Sequence, residues 1–122
     1  MALTPIETTP KKRSYDVVII GGAMLGSSVA WFLSNNPDFT GMILVVERDP
    51  TYQFAATSLT NSCIRQQFST EINVRISQYG AQFVKNFQSH MGGDPRVPRP
   101  TLHSFGYLYL ANTRAFADTL RA

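Results

Sequence analysis

The chain has 122 residues, of which 43% are hydrophobic, so it is long enough for one domain and too apolar to be disordered. Three basic residues and one acidic residue lie in residues 1–13, and eight basic and seven acidic residues lie in the rest. No basic face is therefore predicted, and no nucleic-acid partner. Charged residues make up only 16%, against about 25% in an average soluble domain, which indicates a surface that something else covers.

The first fifty residues predict one βαβ unit. Residues 1–13 contain two prolines and the charge cluster, and are predicted to form a flexible tail. The apolar run at 15–20 predicts a strand buried on both faces of a parallel sheet, and residues 42–46 predict a second one. A helix is expected between them, from residue 23 or 24 to residue 34, because Pro37 cannot continue it. The crossover should be right-handed.

The same region also has the pattern of a signal peptide or membrane anchor, because the basic residues 11–13 precede an apolar stretch at 17–33. Asp16, the pair Gly21-Gly22 and a length of only 17 residues argue against that, since a spanning helix needs about 20. We therefore predict no transmembrane segment. The single cysteine allows no internal disulfide and no cysteine-based metal cluster, and it fits a reducing compartment, so a cytoplasmic location is expected.

The second half of the chain is less regular. Residues 51–69 are polar and have no clear period. Apolar residues at helical spacing predict a long amphipathic helix over 70–91, which Gly92-Gly93 ends. The aromatic-rich stretch 105–111 predicts a strand, and residues 114–122 predict the start of another helix.

A glycine turn follows the first predicted strand, and it nearly matches the dinucleotide-binding pattern G-x-G-x-x-G. Its residues are Gly21, Gly22, Ala23, Met24, Leu25 and Gly26. In this pattern the first glycine permits the tight turn, the second lets backbone amides approach a pyrophosphate, and the third lets the helix lie close to the strands. The N–H groups of the helix N-terminus then face the phosphates. Ala23 stands where the second glycine is expected.

An acidic residue in the expected place strengthens the prediction of a dinucleotide site. Glu47 ends the second predicted strand, 21 residues after Gly26, where a carboxylate accepts hydrogen bonds from ribose hydroxyls. Such an acid disfavours a 2′-phosphate, so NADP is not expected. The βαβ unit by itself leaves FAD and NAD both open.

The choice between FAD and NAD comes from four segments of the sequence, which occur in the same order as similar segments of a known family. They are DVVIIGGAMLG (16–26), VVERD (45–49), ATSLTNSCIRQQFS (56–69) and FGYLYLA (105–111). Together they resemble the N-terminal part of the D-amino acid oxidase superfamily of FAD-dependent oxidoreductases, which includes glycine and sarcosine oxidases and sarcosine and dimethylglycine dehydrogenases. The similarity is greatest to the FAD-dependent oxidoreductase domain-containing branch, some of whose members assist assembly of respiratory complex I. It covers residues 15–122, but only the first part of the family's length.

The resemblance implies a role for each matching residue. The turn from Gly21 to Gly26 would hold the FAD pyrophosphate, Glu47 would bind the adenosine ribose, and Arg48 would lie against the adenine. Thr57 and Ser58 would add hydroxyl or amide donors to the phosphates. Ser62, Cys63 and Ile64 would run beneath the isoalloxazine ring. Relatives often carry a small Ala-Gly or Gly-Gly pair where this chain has Ser62-Cys63, so a less close approach of the backbone to the flavin is expected. No histidine for a covalent flavin link lies in 51–65, so the FAD would be non-covalent.

The other chemically active side chains have simpler interpretations. Arg65 is a candidate for binding a substrate carboxylate, although a surface or phosphate-facing arginine is an equal alternative. Cys63 is expected to be a buried inert thiol, and His90 a residue at a helix C-terminus. His103 receives no role. The aromatic residues Phe83, Phe87, Tyr107 and Tyr109 are expected in the core, and no catalytic triad or metal site is predicted.

The sequence thus predicts an α/β fold: a Rossmann-like FAD-binding βαβ unit, a long helix and the start of a β element. Residues 14–122 would be the N-terminal portion, truncated at its C-terminus, of a three-layer ββα-type domain. The resemblance implies oxidation of the C–N bond of an amino acid or a secondary or tertiary amine, by hydride transfer to flavin N5. Substrate identity, electron acceptor and catalytic residues stay open. The alternatives are a non-catalytic flavin-binding fragment, an assembly-type factor, or an NAD-binding module.

Overall fold

The computed structural model describes residues 7–121, which divide between Cys63 and Ile64 into two compact units. The first unit contains strand β1 (Val17–Ile20), helix α1 (Met24–Ser34) and strand β2 (Ile43–Val46). The second contains helices α2 (Glu71–Lys85), α3 (Phe87–His90) and α4 (Arg114–Arg121). The predictions for residues 1–6 and for Ala122 lie outside the described residues.

The first unit confirms the predicted strand, helix, strand order. β1 and β2 pair in parallel, with Val17 opposite Ile43 and Ile20 opposite Val46, and α1 packs against both strands. The Asp16 carboxylate accepts the Met42 N–H at 2.7 Å and so joins the two strands at their starting end. α1 ends before Pro37 as expected, and its last carbonyls receive the backbone N–H groups of Asn35 and Asn36. In residues 7–121 no helix is long and apolar enough to cross a membrane.

The helix predicted over 70–91 is divided in the structure. α2 ends at Lys85 and α3 begins at Phe87, with Asn86 between them at φ −102° and ψ 15°. The Asn86 side chain donates to the Gln82 carbonyl at 2.9 Å, beside the bond from its own backbone N–H. Asparagine is a weak helix former because its side chain bonds to nearby backbone groups, and this favours a break at Asn86.

The predicted strand at 105–111 is wrong. These residues form no strand, and the described part of the chain holds no third strand to pair with them. Gly106 has φ +79°, outside the extended region, and Phe105, Leu108 and Leu110 are more than 80% exposed. A high β propensity alone does not make a strand, because the backbone N–H and C=O groups of a strand need a neighbouring strand to bond to.

Burial is also lower than the sequence predicts. Among the described residues only Gly22 and Ala81 are buried. Ile20 is 90% exposed and Val18 54%, so β1 is not covered on both faces. Of the four aromatic residues expected in the core, Phe83 and Phe87 are half-buried, whereas Tyr107 and Tyr109 are exposed. A surface with this much exposed apolar area is typical of a surface that another part of a protein covers. The low content of charged residues supports the same interpretation.

Candidate functional site

The glycine turn between β1 and α1 needs glycine at two positions for different reasons. Gly21 has φ +97°, and its N–H donates to the Val46 carbonyl at 2.7 Å, so the turn begins while the chain is still bonded to β2. Gly26 allows a close approach, because a Cβ there would overlap the Gly21 carbonyl oxygen and lie 3.0 Å from Cγ2 of Ile19. The glycine turn therefore packs directly against the first turn of helix α1, with no side chain between them.

The N-terminus of α1 carries no side-chain cap. Ala23 is the N-cap residue at φ −67°, a conformation that alanine adopts without strain, and it makes no side-chain capping bond. The first turn of α1 has no acidic residue. The Ser27 hydroxyl donates to the Gly22 carbonyl and holds the turn onto the helix. Among residues 7–121 no side chain accepts a hydrogen bond from the first-turn N–H groups of α1, and helix N-termini favour anions.

Glu47 lies directly against the glycine turn. One carboxylate oxygen accepts the Gly22 N–H at 2.6 Å, and the other accepts the Asp49 N–H at 2.8 Å. The Asp49 N–H, and after it the Gly22 N–H, lowers the pKa of Glu47 below its usual value, so the group is ionised at neutral pH. A carboxylate has about four acceptor sites, so lone pairs are left for further donors such as hydroxyls.

The residues after Glu47 line an open groove along β2. Arg48, Pro50 and Tyr52 form one part of it, and residues 7–12 form another. Tyr52 was not identified from the sequence, yet a Cβ placed on Gly22 would lie 3.2 Å from the Tyr52 hydroxyl. The hydroxyl is brought close to the turn because the chain reverses at Asp49, whose carbonyl accepts the Tyr52 N–H. A tyrosine five residues after the acid has no recognisable sequence pattern.

Four residues that the resemblance assigns to FAD lie in the irregular segment after Asp49: Thr57 and Ser58, expected at the phosphates, and Ser62 and Cys63, expected beneath the isoalloxazine ring. Thr57 is half-buried and Ser58 is exposed, both in a series of turns after Asp49. The Ser58 N–H donates to the Ala55 carbonyl at 2.9 Å, which leaves its hydroxyl as the available donor. Ser62 is exposed at φ +55°. Cys63 is exposed as well, so the expectation that its thiol is buried is wrong.

Ile64 and Arg65 belong to the second unit. The Tyr107 hydroxyl donates to the Ile64 carbonyl at 3.0 Å and accepts the Gln66 N–H at 3.0 Å. The Arg65 guanidinium lies over the Phe68 ring, with Cζ 4.4 Å from the ring centroid. The sequence analysis expected Tyr107 in the core and gave it no role at a site, because a contact across more than 40 residues leaves no local pattern.

The two histidines add no site. His90 ends α3, as predicted for a C-terminal helix residue, and its ring stacks on Phe83 with centroids 4.4 Å apart. His103 is exposed. In residues 7–121 no group of three or more His, Cys, Asp or Glu residues is arranged to hold a metal ion.

Comparison with known proteins identifies the family. Residues 16–122 match the profile of the DAO family, described as FAD dependent oxidoreductase. The chain belongs to this family. It is 41% identical over 113 residues to FAD-dependent oxidoreductase domain-containing protein 1 of Xenopus laevis, covering 89% of this chain and 22% of that protein. The protein of the same name from Bos taurus is 43% identical over 112 residues, covering 88% of this chain and 23% of the relative.

The family match confirms the resemblance carried by the four segments, and the DAO profile extends through all of them. The chain spans about a fifth of the length of these two relatives. No solved structure matches it.

Proposed function

We propose that the chain binds FAD non-covalently, with the pyrophosphate at the glycine turn and the adenosine ribose on Glu47. The observation that carries this proposal is the contact between the Gly22 N–H and the Glu47 carboxylate. It brings the two halves of a dinucleotide site together across 25 residues of sequence. Two further features support it: the uncapped, acid-free N-terminus of α1, and the close fit at Gly26.

The residues present fit the chemical groups of FAD. A pyrophosphate needs N–H donors, which the first turn of α1 supplies, and space free of side chains, which Gly21 supplies because a Cβ there would meet no atom within 4 Å. A ribose needs an acceptor, which Glu47 supplies as an ionised carboxylate. Arg48 lies in the groove next to Glu47, where its planar guanidinium is available to stack on an adenine.

For the reaction we propose oxidation of the C–N bond of an amino acid or an amine. Bound FAD would supply the hydride acceptor, which no side chain can provide. This chain's contribution is to bind and orient. Arg65 is exposed, and its guanidinium can bind a substrate carboxylate through two parallel N–H bonds. The family membership supports the general class of reaction, and the choice of a C–N bond rests on the resemblance to amine and amino-acid oxidases.

We further propose that residues 14–122 are one portion of a FAD-binding domain. The low burial supports this, because Ile20, Val18 and Val46 leave one face of the β1–β2 sheet open. Parallel sheets occur almost only with both faces covered. The coverage of about a fifth of the relatives' length agrees with it.

Cofactor titration tests the proposal. The full chain is titrated with FAD and with NAD by fluorescence, and FAD should bind more tightly. Denaturation with acid should then leave the yellow flavin in the supernatant, since no covalent bond holds it. Tighter binding of NAD would overturn the cofactor assignment.

The matched pair of variants is Glu47→Gln and Glu71→Gln. The second removes an exposed glutamate that pairs with Arg75 on α2. Only the first should weaken FAD binding.

The reaction has its own test. Bound flavin is mixed without oxygen with an amino acid, an N-methylated amino acid and a tertiary amine, and bleaching of the flavin absorbance is followed. Reduction by at least one of these amines supports an oxidoreductase of C–N bonds. Flavin that binds but is reduced by none of them favours the non-catalytic alternative.

A further inference from the structure

The segment that carries Arg65 has little backbone bonding of its own. Residues 60–69 form no helix or strand, and they make no backbone–backbone hydrogen bond to any described residue. Such a segment samples many conformations unless side chains hold it. The Tyr107 hydroxyl makes two bonds to it, one to the Ile64 carbonyl and one from the Gln66 N–H.

These two bonds are made by the residues on either side of Arg65. The residues before and after it are joined to one hydroxyl group, which acts as donor and acceptor at the same time. Holding both neighbours limits the φ and ψ angles of Arg65, and therefore the direction in which its side chain leaves the backbone. The far end of that side chain rests on the Phe68 ring at 4.4 Å. The Arg65 side chain is thus held both at its backbone and at its guanidinium, and the residue is exposed.

We propose that Tyr107 is a positioning residue for Arg65. Its hydroxyl holds the Ile64–Gln66 peptide so that the guanidinium faces a carboxylate ligand in one orientation. The proposal rests on the proposed function, in which Arg65 binds the substrate carboxylate. Orientation matters because a guanidinium binds a carboxylate through a planar fork of two N–H groups. A fork held in place before binding loses less conformational entropy when the ligand arrives.

Tyr109 provides a matched control. Its ring lies 6.0 Å from that of Tyr107 and its exposure is similar, at 45% against 47%. Within residues 7–121, however, no hydrogen bond from the Tyr109 hydroxyl is found. Tyr107→Phe and Tyr109→Phe therefore each remove one hydroxyl from neighbouring rings, and only the first removes a bond to the Arg65 segment.

The first measurement is amide hydrogen exchange at Gln66 in the full chain, which needs no flavin. Tyr107→Phe should speed exchange roughly 2- to 12-fold, the range expected when one neutral hydrogen bond is lost. Tyr109→Phe should leave the rate unchanged. Unchanged exchange at Gln66 in Tyr107→Phe would overturn the proposal.

The second measurement uses acetate as the carboxylate probe and follows the NMR shift of the Arg65 side-chain Nε. Tyr107→Phe should raise the dissociation constant of acetate roughly three- to tenfold, because the fork is no longer oriented. With Arg65→Lys as the background, acetate binding is followed by calorimetry, and Tyr107→Phe should have no further effect. An equal loss in both backgrounds would mean that Tyr107 acts without Arg65, and would refute the positioning role.

The two proposals fail in different ways. A wild-type chain that does not bind FAD would contradict the proposed cofactor. The exchange and acetate measurements would then still decide the role of Tyr107. Normal FAD binding together with an acetate affinity that Tyr107→Phe does not change would contradict the positioning role alone.

Discussion

Replacing Gly26 by alanine tests the close approach of α1 to the glycine turn. The added methyl would overlap the Gly21 carbonyl oxygen and press on Ile19. The Gly21 carbonyl cannot easily rotate away, because the N–H group in the same peptide plane, that of Gly22, is bonded to the Glu47 carboxylate. Overpacking of this kind costs about 1–3 kcal/mol, and more where backbone must move. Alanine recovers up to about 1 kcal/mol of helix propensity. Because the overlap is with backbone, we take the upper part of the first range, about 2–3 kcal/mol, and expect a net loss of about 1–2 kcal/mol in the free energy of unfolding.

The same substitution at Gly80 should have the opposite sign. Gly80 lies inside α2, and a Cβ there has no atom within 4 Å, so the propensity gain of about 1 kcal/mol is unopposed. Urea unfolding of both variants, followed by circular dichroism, should separate them by about 2–3 kcal/mol. The FAD affinity of Gly26→Ala should fall roughly tenfold, equivalent to about 1.4 kcal/mol of lost phosphate contacts, and that of Gly80→Ala should not change. Equal stability of the two variants would refute the close approach.

Three further changes test the charges and the cap. Ala23→Ser should stabilise the chain by about 0.5–2 kcal/mol, because serine caps α1. It should also weaken FAD binding, because the serine hydroxyl occupies N–H donors that the phosphates need. Tighter FAD binding would contradict an anion site at this helix N-terminus. The folded-state pKa of Glu47 is lowered, so the stability it contributes should be complete above its ordinary value of 4.5 and lost as the pH falls through the lowered value. Thermal melts over that acid range should show this loss in wild type and less of it in Glu47→Gln. Phe68→Leu should raise the dissociation constant of acetate roughly two- to fivefold, as expected for an exposed cation–π contact, and an unchanged constant would mean that the ring does not hold Arg65.

The elements that the sequence predicted best are those with local signals. α1 begins at one of the two predicted residues and ends at Ser34, because glycines precede it and Pro37 follows. The order of β1, α1 and β2 follows from two apolar runs separated by a glycine turn and by the helix that Pro37 stops. The break at Asn86 was missed, because one polar residue did not interrupt the apolar spacing on either side of it.

The candidate site was predictable only in part. The glycine turn and Glu47 follow from a short motif and its usual spacing, since chain geometry places the end of β2 beside the end of β1. Tyr52 and Tyr107 could not be found in this way. Each approaches its partner because of how an irregular segment folds, and such segments have no period in the sequence.

The sequence by itself determined the parallel βαβ unit and the glycine turn, because both are encoded in residues near one another along the chain. It also determined the family, because four short segments occur in a fixed order along the chain. The tertiary structure decided that Glu47 bonds to Gly22, that Tyr107 holds both neighbours of Arg65, and that residues 105–111 form no strand. These outcomes depend on which distant groups meet. A hydrogen bond across 25 or more residues, or a strand that needs a partner, is a property of the folded chain and not of its local segments.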